Sequence, residues 1–312
     1  MITVLAGGTG AAKFIRGLIE ILPPEELTII GNTGDDCVVW ALHVSPDLDT
    51  IMYLLADLLD EERGWGIKGD TFACLEAMKR YDEPTWFQLG DRDLATHIER
   101  TVGLHEGWTL SEVTERLGRS LGVRVRILPM TNDRVETRIH TPQGTLSFQE
   151  FFVRERWSSE VTSVEFHGRE RAQPSPGVIE AIRASDGVVI APSNPITSIG
   201  PILSVKGIRQ ALVDTPAQVI AISPIVGGQA VSGPTGKLMK AFGYEVSALG
   251  VAQVYRDFLD VLIIDEHDVA LGTEIERLDV RVVRAHTIMH DLAAKVSLAK
   301  EPMRLLRTPE AH

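Results

Sequence analysis

Near the amino terminus an apolar run, Ile2 to Ala6, leads directly into Gly7-Gly8-Thr9-Gly10-Ala11-Ala12-Lys13. A strand, a glycine turn and a helix start are the parts a diphosphate site needs. Glycine permits positive φ and lets the backbone approach phosphate oxygens. The helix N-terminus then offers free N–H groups and the positive end of its dipole. The run is not a clean dinucleotide fingerprint. Counted from Gly8 it reads G-x-G-x-x-K, with Lys13 in place of the third glycine, and the second predicted strand ends at Gly31-Asn32 rather than on a ribose-binding acid. Nor is it a P-loop. The later pair Gly236-Lys237 fails that pattern too, because Val231 and Leu238 occupy the positions of the first glycine and the hydroxyl residue. The plain alternative is a tight turn without a ligand, but this turn is a default binding position in such folds.

Acidic residues follow the second strand in Asn32-Thr33-Gly34-Asp35-Asp36 and again in Ser45-Pro46-Asp47-Leu48-Asp49-Thr50. Strand ends of an open parallel sheet point into the ligand crevice. Carboxylates placed there beside a diphosphate can hold Mg²⁺ or act as base for an attacking hydroxyl. The competing use is local: Ser45 or Asp47 could cap the next helix, and Asp35 could belong to a turn. Two further strand ends, Pro192-Ser193-Asn194-Pro195-Ile196-Thr197-Ser198 and Ser223-Pro224-Ile225-Val226-Gly227-Gly228, are rich in hydroxyls, amides and turn residues. Such loops can hold a base or a phosphate, or serve as ordinary turns. His286 and His290 lie four apart, as zinc ligands on a helix would, but the H-E-x-x-H glutamate is missing and no third ligand is evident. No G-x-S-x-G elbow is present. Trp65, Trp86, Trp108 and Trp157 flank or lie in the middle of the chain, where packing is the simplest use of each.

These residues need a scaffold, and the chain is long enough for one large domain plus an insertion: 312 residues, 44% hydrophobic and 24% charged. The net charge of −12 argues against general attraction to nucleic acid. Cys37 and Cys74 form no C-x-x-C pair or zinc framework and read as small, partly buried side chains, which suits a reducing cytoplasm. No signal-peptide pattern and no run near the ~20 apolar residues of a membrane span is seen. The expected partners are therefore small molecules, with neither nucleic acid nor membrane.

Short Val- and Ile-rich runs predict strands buried on both faces at Ile2–Ala6, Thr28–Gly31, Gly187–Ala191, Gln218–Ser223, Val261–Asp265 and Val280–Arg284. Helical patterns alternate with them, so the expected fold is α/β: a Rossmann-like, doubly wound, mostly parallel six-stranded sheet. The middle differs. Helical patterns at Asp91–Val102 and Thr109–Leu121, the second opening on a Thr109-x-x-Glu112 capping box, precede period-two segments around Val123–Leu128, Arg134–His140, Gly144–Phe148 and Val161–His167. This places the main domain at 1–85 and 174–312, with an inserted α+β subdomain at 86–173.

Taken together, Gly7 to Lys13, Asn32 to Asp36, Pro46 to Thr50, Trp65-Gly66-Ile67-Lys68-Gly69-Asp70-Thr71, Ser193 to Ser198, Ser223 to Gly228 and Gly233-Pro234-Thr235-Gly236-Lys237 resemble the 2-phospho-L-lactate transferase family of coenzyme F420 biosynthesis. The resemblance covers nearly the whole chain. It implies a guanosine diphosphate-activated acid as donor, the deazaflavin Fo as acceptor through its ribityl hydroxyl, GMP as leaving group, Mg²⁺ as cofactor and a homodimer. It also implies that Gly7, Gly8, Thr9, Gly10 and Lys13 face the diphosphate. Asn32, Ser193 and Asn194 would help hold the guanosine end, with Ser198 and Ser223 in the same nucleotide-facing loops. Asp36 and Asp49 would serve the metal and the attacking hydroxyl, and Trp65, Asp70 and Thr71 would border the deazaflavin. Two other readings compete: a non-catalytic nucleotide-sugar-binding regulator and an NAD-dependent oxidoreductase. Cys37-Val38-Val39-Trp40, where a glycine- and serine-rich run would suit the regulator, and the absent ribose acid weigh against them. The transferase reading expects Asp36→Ala and Asp49→Ala each to lose orders of magnitude in turnover with the fold intact. Near-normal turnover in both variants would reject those two roles.

Overall fold

The computed structural model describes residues 1–307. Seven parallel strands form the central sheet: β1 (Ile2–Ala6), β2 (Leu27–Gly31), β3 (Arg126–Pro129), β4 (Gly187–Ile190), β5 (Gln218–Ile222), β6 (Val261–Asp265) and β7 (Arg281–Ala285). Their spatial order is β7-β6-β5-β4-β1-β2-β3. The order reverses between β1 and β4, the switch point where open α/β sheets leave a crevice. Registers Leu5↔Ile190 and Ala6↔Gly31 bring the ends of β4 and β2 level with the glycine turn that follows β1.

The strand composition explains the layers. In β1 and β2 every residue is buried. Alternate side chains enter opposite cores, as the period of two requires. Leu5 and Ile30 pack on one side with Ile182, Ile199 and Ile202. Val4 and Ile29 pack on the other with Phe14, Ile15, Leu48 and Ile51. Helix α1 (Gly8–Leu18) runs back from β1, and α2 (Pro46–Leu55) lies beside it.

The α/β class holds, but the sheet has seven strands rather than six. The extra one, β3, is part of the segment expected to alternate within the insertion; it pairs in parallel with β2 from Thr28↔Arg126 to Gly31↔Pro129. The way to it runs through α3 (Asp93–His105) and α4 (Leu110–Ser120), the latter closed by the expected Thr109/Glu112 capping box. The division drawn at residue 86 shifts accordingly, since residues 93–129 supply a crossover and an edge strand to the main sheet. What stands apart is a three-stranded antiparallel sheet in which Glu136–Thr141 lies between Gly144–Ser147 and Ser163–His167. A small hairpin, Cys37–Val39 with Leu42–Val44, escaped the sequence reading. Its two loop residues, Trp40 and Ala41, have φ of 49° and 63° without the Asn or Gly that normally signals such a turn. Among the described residues no helix is long and apolar enough to cross a membrane.

The last helix, α5 (Leu292–Arg307), packs across α1 at a glycine. A Cβ at Gly17 would lie 2.2 Å from the backbone oxygen of Lys295 and 2.5 Å from its carbonyl carbon. Backbone cannot turn aside as a side chain can. Gly17→Ala is therefore expected to destabilise the protein by about 1–3 kcal/mol, read from urea unfolding. An unchanged midpoint would mean that the helices do not approach this closely.

Candidate active site

The ends of β1, β2, β4 and β5 open into a cavity of about 900 Å³. Its floor is the glycine turn: Gly7, Gly8, Thr9, Gly10 and Lys13 all line it. The glycines are needed for steric reasons that the sequence only implied. Gly8 has φ +71°; a Cβ on Gly7 would fall 2.7 Å from Asp47 Oδ2, and one on Gly10 would fall 2.2 Å from the Pro192 carbonyl oxygen. The turn is thus packed directly against the loop after β4. That loop contributes Ser193, Asn194 and Ser198 to the wall. Asn194 Oδ1 accepts hydrogen bonds from Ile196 N at 2.9 Å and Thr197 N at 3.3 Å, whereas the buried Ser193 hydroxyl has no partner. Ser223 also lines the cavity, its Oγ accepting from Ile225 N at 3.1 Å.

The acidic cluster is arranged differently from expectation. Asp47 does not cap its own helix. Its Oδ1 accepts from Gly8 N at 2.8 Å and its Oδ2 from Asn32 Nδ2 at 2.9 Å, while Asn32 Oδ1 accepts from Gly34 N at 2.8 Å. Asn32 is fully buried behind the wall and orients Asp47 from there. Asp35 and Asp47 both line the cavity, and Asp35 Oδ1 is buried without a hydrogen-bond partner. Burial raises both carboxyls: Asp47 is pushed up to about 6, and Asp35 goes well above the usual carboxylate range, with the charge of Asp47 as the next cause. Asp36 is turned away from the cavity. Its Oδ2 accepts from Ser45 Oγ at 2.7 Å and lies 2.9 Å from His43 Nε2. Burial raises Asp36 as well, against the pull of His43.

Asp49 does reach the wall, but as half of an ion pair. The Arg100 guanidinium, with no exposed surface, grips both its oxygens, one through Nη1 at 3.1 Å and the other through Nη2. His97 Nδ1 lies 3.3 Å from Arg100 Nη1 and His97 Nε2 lies 3.1 Å from Asp93 Oδ1, an oxygen that accepts a hydrogen bond from Tyr53 OH at 2.6 Å. Asp93, His97 and Arg100 were missed by the sequence reading. The signal was available: three polar residues at i, i+4 and i+7 put one charged stripe on a helix face, here the buried face of α3.

The remaining wall is aromatic. Trp65, Trp86, Phe87, Phe148, Phe152 and Trp157 all line it, and the Arg154 guanidinium lies 5.8 Å from the Trp86 ring centre. Phe148 and Phe152 stack with centroids 5.4 Å apart, and Phe152 meets Trp157 at 5.2 Å. Trp108 lies elsewhere, beneath the Arg116 guanidinium. Asp70 and Thr71 are not brought to the wall. The Asp70 carboxylate accepts from Arg92 N at 2.9 Å and Asp93 N at 3.0 Å, which fixes the start of α3, and Thr71 donates to Asp91. His290 lines the cavity but His286 does not. Among the described residues no three His, Cys, Asp or Glu side chains are placed to hold a metal by themselves. The pair Asp35 and Asp47 nevertheless suits a divalent cation: two buried carboxylates, one oxygen unpartnered, with the charge of Asp47 adding to burial in raising Asp35. Mg²⁺ is commonly held by one or two carboxylates, with phosphates and water completing the shell.

A family model described as 2-phospho-L-lactate transferase CofD matches residues 2–305. A 2-phospho-L-lactate transferase from Methanosarcina mazei is 45% identical over 297 residues, covering 95% of this chain and 97% of its own. Those of Methanocaldococcus jannaschii and Methanothermobacter thermautotrophicus are 45% and 43% identical, each with 96% of both chains covered. A crystal structure from Bacillus halodurans, described as a UPF0052 family member, superposes with a TM-score of 0.66 over 96% of this chain and 97% of its own. At 17% identity it supports the fold alone.

Arg100 supplies the positive charge facing Asp49 within a buried network, so the expectation that Asp49→Ala leaves the fold intact does not hold: that change would strand the buried guanidinium and cost stability as well as turnover. Arg100→Met would leave that carboxylate buried without its partner, at an expected cost of about 3–5 kcal/mol. Chemical denaturation measures this directly, and a loss below about 1 kcal/mol, typical of an exposed pair, would show that water reaches the pair.

Proposed function

Because the chain belongs to the 2-phospho-L-lactate transferase family, we propose that it moves a phospholactyl or phosphoenolpyruvyl group from a guanosine diphosphate-activated donor to the ribityl hydroxyl of the deazaflavin Fo. Its broader role is that of a transferase in coenzyme F420 biosynthesis. The observation that carries the finer reading is the continuity of one cavity, with a phosphate-type turn and buried carboxylates at its floor and stacked aromatic rings on its wall. A nucleoside diphosphate and a flat ring system ask for those two surfaces side by side.

In this reading the amides at the start of α1 and the Lys13 ammonium hold the diphosphate. Ser193 and Asn194 face the guanosine end. Asp35 and Asp47 would hold Mg²⁺, which would supply charge neutralisation at the phosphates. Asn32 keeps Asp47 aimed, so its contribution is made through Asp47 and not by touching guanosine. The ribityl hydroxyl oxygen attacks the phosphorus bearing the acid, and the bond from that phosphorus to the GMP oxygen breaks. The hydroxyl proton passes to a wall carboxylate. Asp49, fixed in place by Arg100, is the candidate to orient that hydroxyl. Asp36 supports from behind by tying Ser45 and His43 together. Transfer of this kind depends on in-line positioning and neutralised charge more than on covalent help. The aromatic wall excludes water that would otherwise compete with the acceptor.

A fluorescence titration with Fo in the presence of GDP and Mg²⁺ tests the reading, followed by mass detection of the new phosphodiester and of GMP. Saturable binding and both products are expected. Binding of a uridine sugar with none of Fo would reject the transferase chemistry in favour of a regulator.

Asp35→Asn and Asp47→Asn should each cut turnover by roughly 10²-fold or more if they neutralise transferring charge, with circular dichroism unchanged; wild-type rates in both would remove them from the chemistry. The raised carboxyls add a pH signature. The folded pKa of Asp47 lies above the unfolded value, so as pH rises through the interval from about 4 to about 6 its deprotonation costs the unliganded protein stability, and Asp35, raised in the same direction, acts with the same sign. Mg²⁺ should therefore raise the melting temperature at pH 7.5 and much less at pH 5, and Asp47→Asn should abolish the difference. Equal Mg²⁺ effects at both pH values would place the ion elsewhere.

A further inference from the structure

The segment Gly233-Pro234-Thr235-Gly236-Lys237 reads like the tail of a phosphate loop, yet Lys237 does not line the cavity. Gly233, Pro234 and Thr235 do line it, and Thr235 begins a short helix, Thr235–Ala241, that carries Lys237 away from the wall. The Lys237 ammonium donates to three successive carbonyl oxygens across the cavity rim: Trp157 at 2.5 Å, Ser158 at 3.3 Å and Ser159 at 2.9 Å. These carbonyls follow a wide helical turn, Glu150–Arg154, closed by a bond from Glu155 N to Glu150 O at 2.9 Å. Carbonyl ends that converge beyond a helical turn attract a cation.

The segment so gripped is strained. Arg156 and Trp157 have φ of 48° and 46°, and neither is glycine. Such backbone persists only where its surroundings over-determine it. Here the restraints are Trp157 N donating to Phe151 O at 2.8 Å, the Phe152 ring lying against Gly233, and the lysine. The same strained segment supplies Arg156 and Trp157 to the cavity wall beside Phe148 and Phe152.

We propose that Lys237 is a positioning residue whose ammonium holds the Arg156–Trp157 turn closed and so preforms the aromatic wall for the planar acceptor. The inference rests on the acceptor reading given above. It assigns the lysine a role that its motif does not suggest: no phosphate contact, and a latch between the main sheet's loops and the antiparallel insertion. Preorganisation of this kind acts on the ligand that touches the wall and not on the nucleotide, which the glycine turn and the loop after β4 would hold.

Lys237→Met keeps the length and removes the charge, and Lys237→Arg keeps the charge. Lys237→Met is expected to weaken Fo binding roughly tenfold or more, as misplacement by an ångström can, with the KM for Fo rising more than kcat falls. GDP affinity should stay within about twofold, the range left to a residue that does not touch the nucleotide. Trypsin cleavage after Arg156, followed by mass spectrometry under native conditions, should accelerate in Lys237→Met, and Lys237→Arg should restore both properties in part. Unchanged Fo affinity, equal loss of GDP and Fo binding, or unchanged cleavage after Arg156 would each overturn the proposal. If the wild-type protein itself binds no Fo, the acceptor reading fails, and cleavage after Arg156 still decides whether Lys237 holds the segment.

Discussion

The carboxylate of Asp47 ties together the three pieces of chain on which the cavity depends. One oxygen takes the first amide of α1, and the other takes the Asn32 side chain at the end of β2. Asp47 itself belongs to α2. The contact therefore joins the glycine turn, the second strand and the helix after it at one buried point. A carboxylate at a helix N-terminus is favoured by the dipole and by the free N–H groups. Burial opposes it, as its raised pKa records. The floor of the site thus holds a negative charge in reserve beside an anion-binding turn, an arrangement that a cation and a diphosphate would both relieve.

A second buried charge system supports the first. Arg100 enters from α3, a helix of the crossover to β3, and meets Asp49 on α2. Full burial of an arginine is costly unless it is paired, and bidentate geometry with a carboxylate is the arrangement that best offsets the cost. Asp93, His97 and Tyr53 extend this network along the same wall. Its consequence is rigidity: α2 cannot shift against α3 without breaking a buried ion pair, and both wall aspartates of α2 keep their aim. The opposite wall depends on backbone held in an uncommon conformation and on a lysine gripping its carbonyls. One side of the cavity is thereby fixed by buried charge, the other by a strained turn.

Much of the frame was legible in the sequence because it follows from local rules. Buried parallel strands must be apolar on both faces, so their Val and Ile runs announced six of the seven. The glycine turn was legible because only a few contexts place Gly-Gly-x-Gly directly after a strand. The seventh strand was hidden because Arg126 and its alternating neighbours resemble the antiparallel strands that follow; sheet membership depends on a partner far away in sequence. The hairpin at Cys37–Val44 was hidden because Trp40 and Ala41 adopt a turn conformation that their residue types do not advertise.

For the site itself, the sequence determined the inventory: the glycines, Lys13, two pairs of aspartates and the loops after β4 and β5, all within reach of one crevice because strand ends of such a sheet converge. It could not decide which aspartates face the cavity. Asp35 and Asp36 are neighbours, and so nearly are Asp47 and Asp49; in each pair both members have the same chemistry and differ only in direction. That choice belongs to the packing of α2 against β1 and α3. It turns Asp36 toward Ser45 and His43, engages Asp49 with Arg100, and leaves Asp35 and Asp47 facing the space beside the glycine turn. Composition and spacing set which groups were available, and only the tertiary contacts decided which carboxylates face the cavity and what holds each of them there, because a side chain's direction is fixed by partners that are distant along the chain.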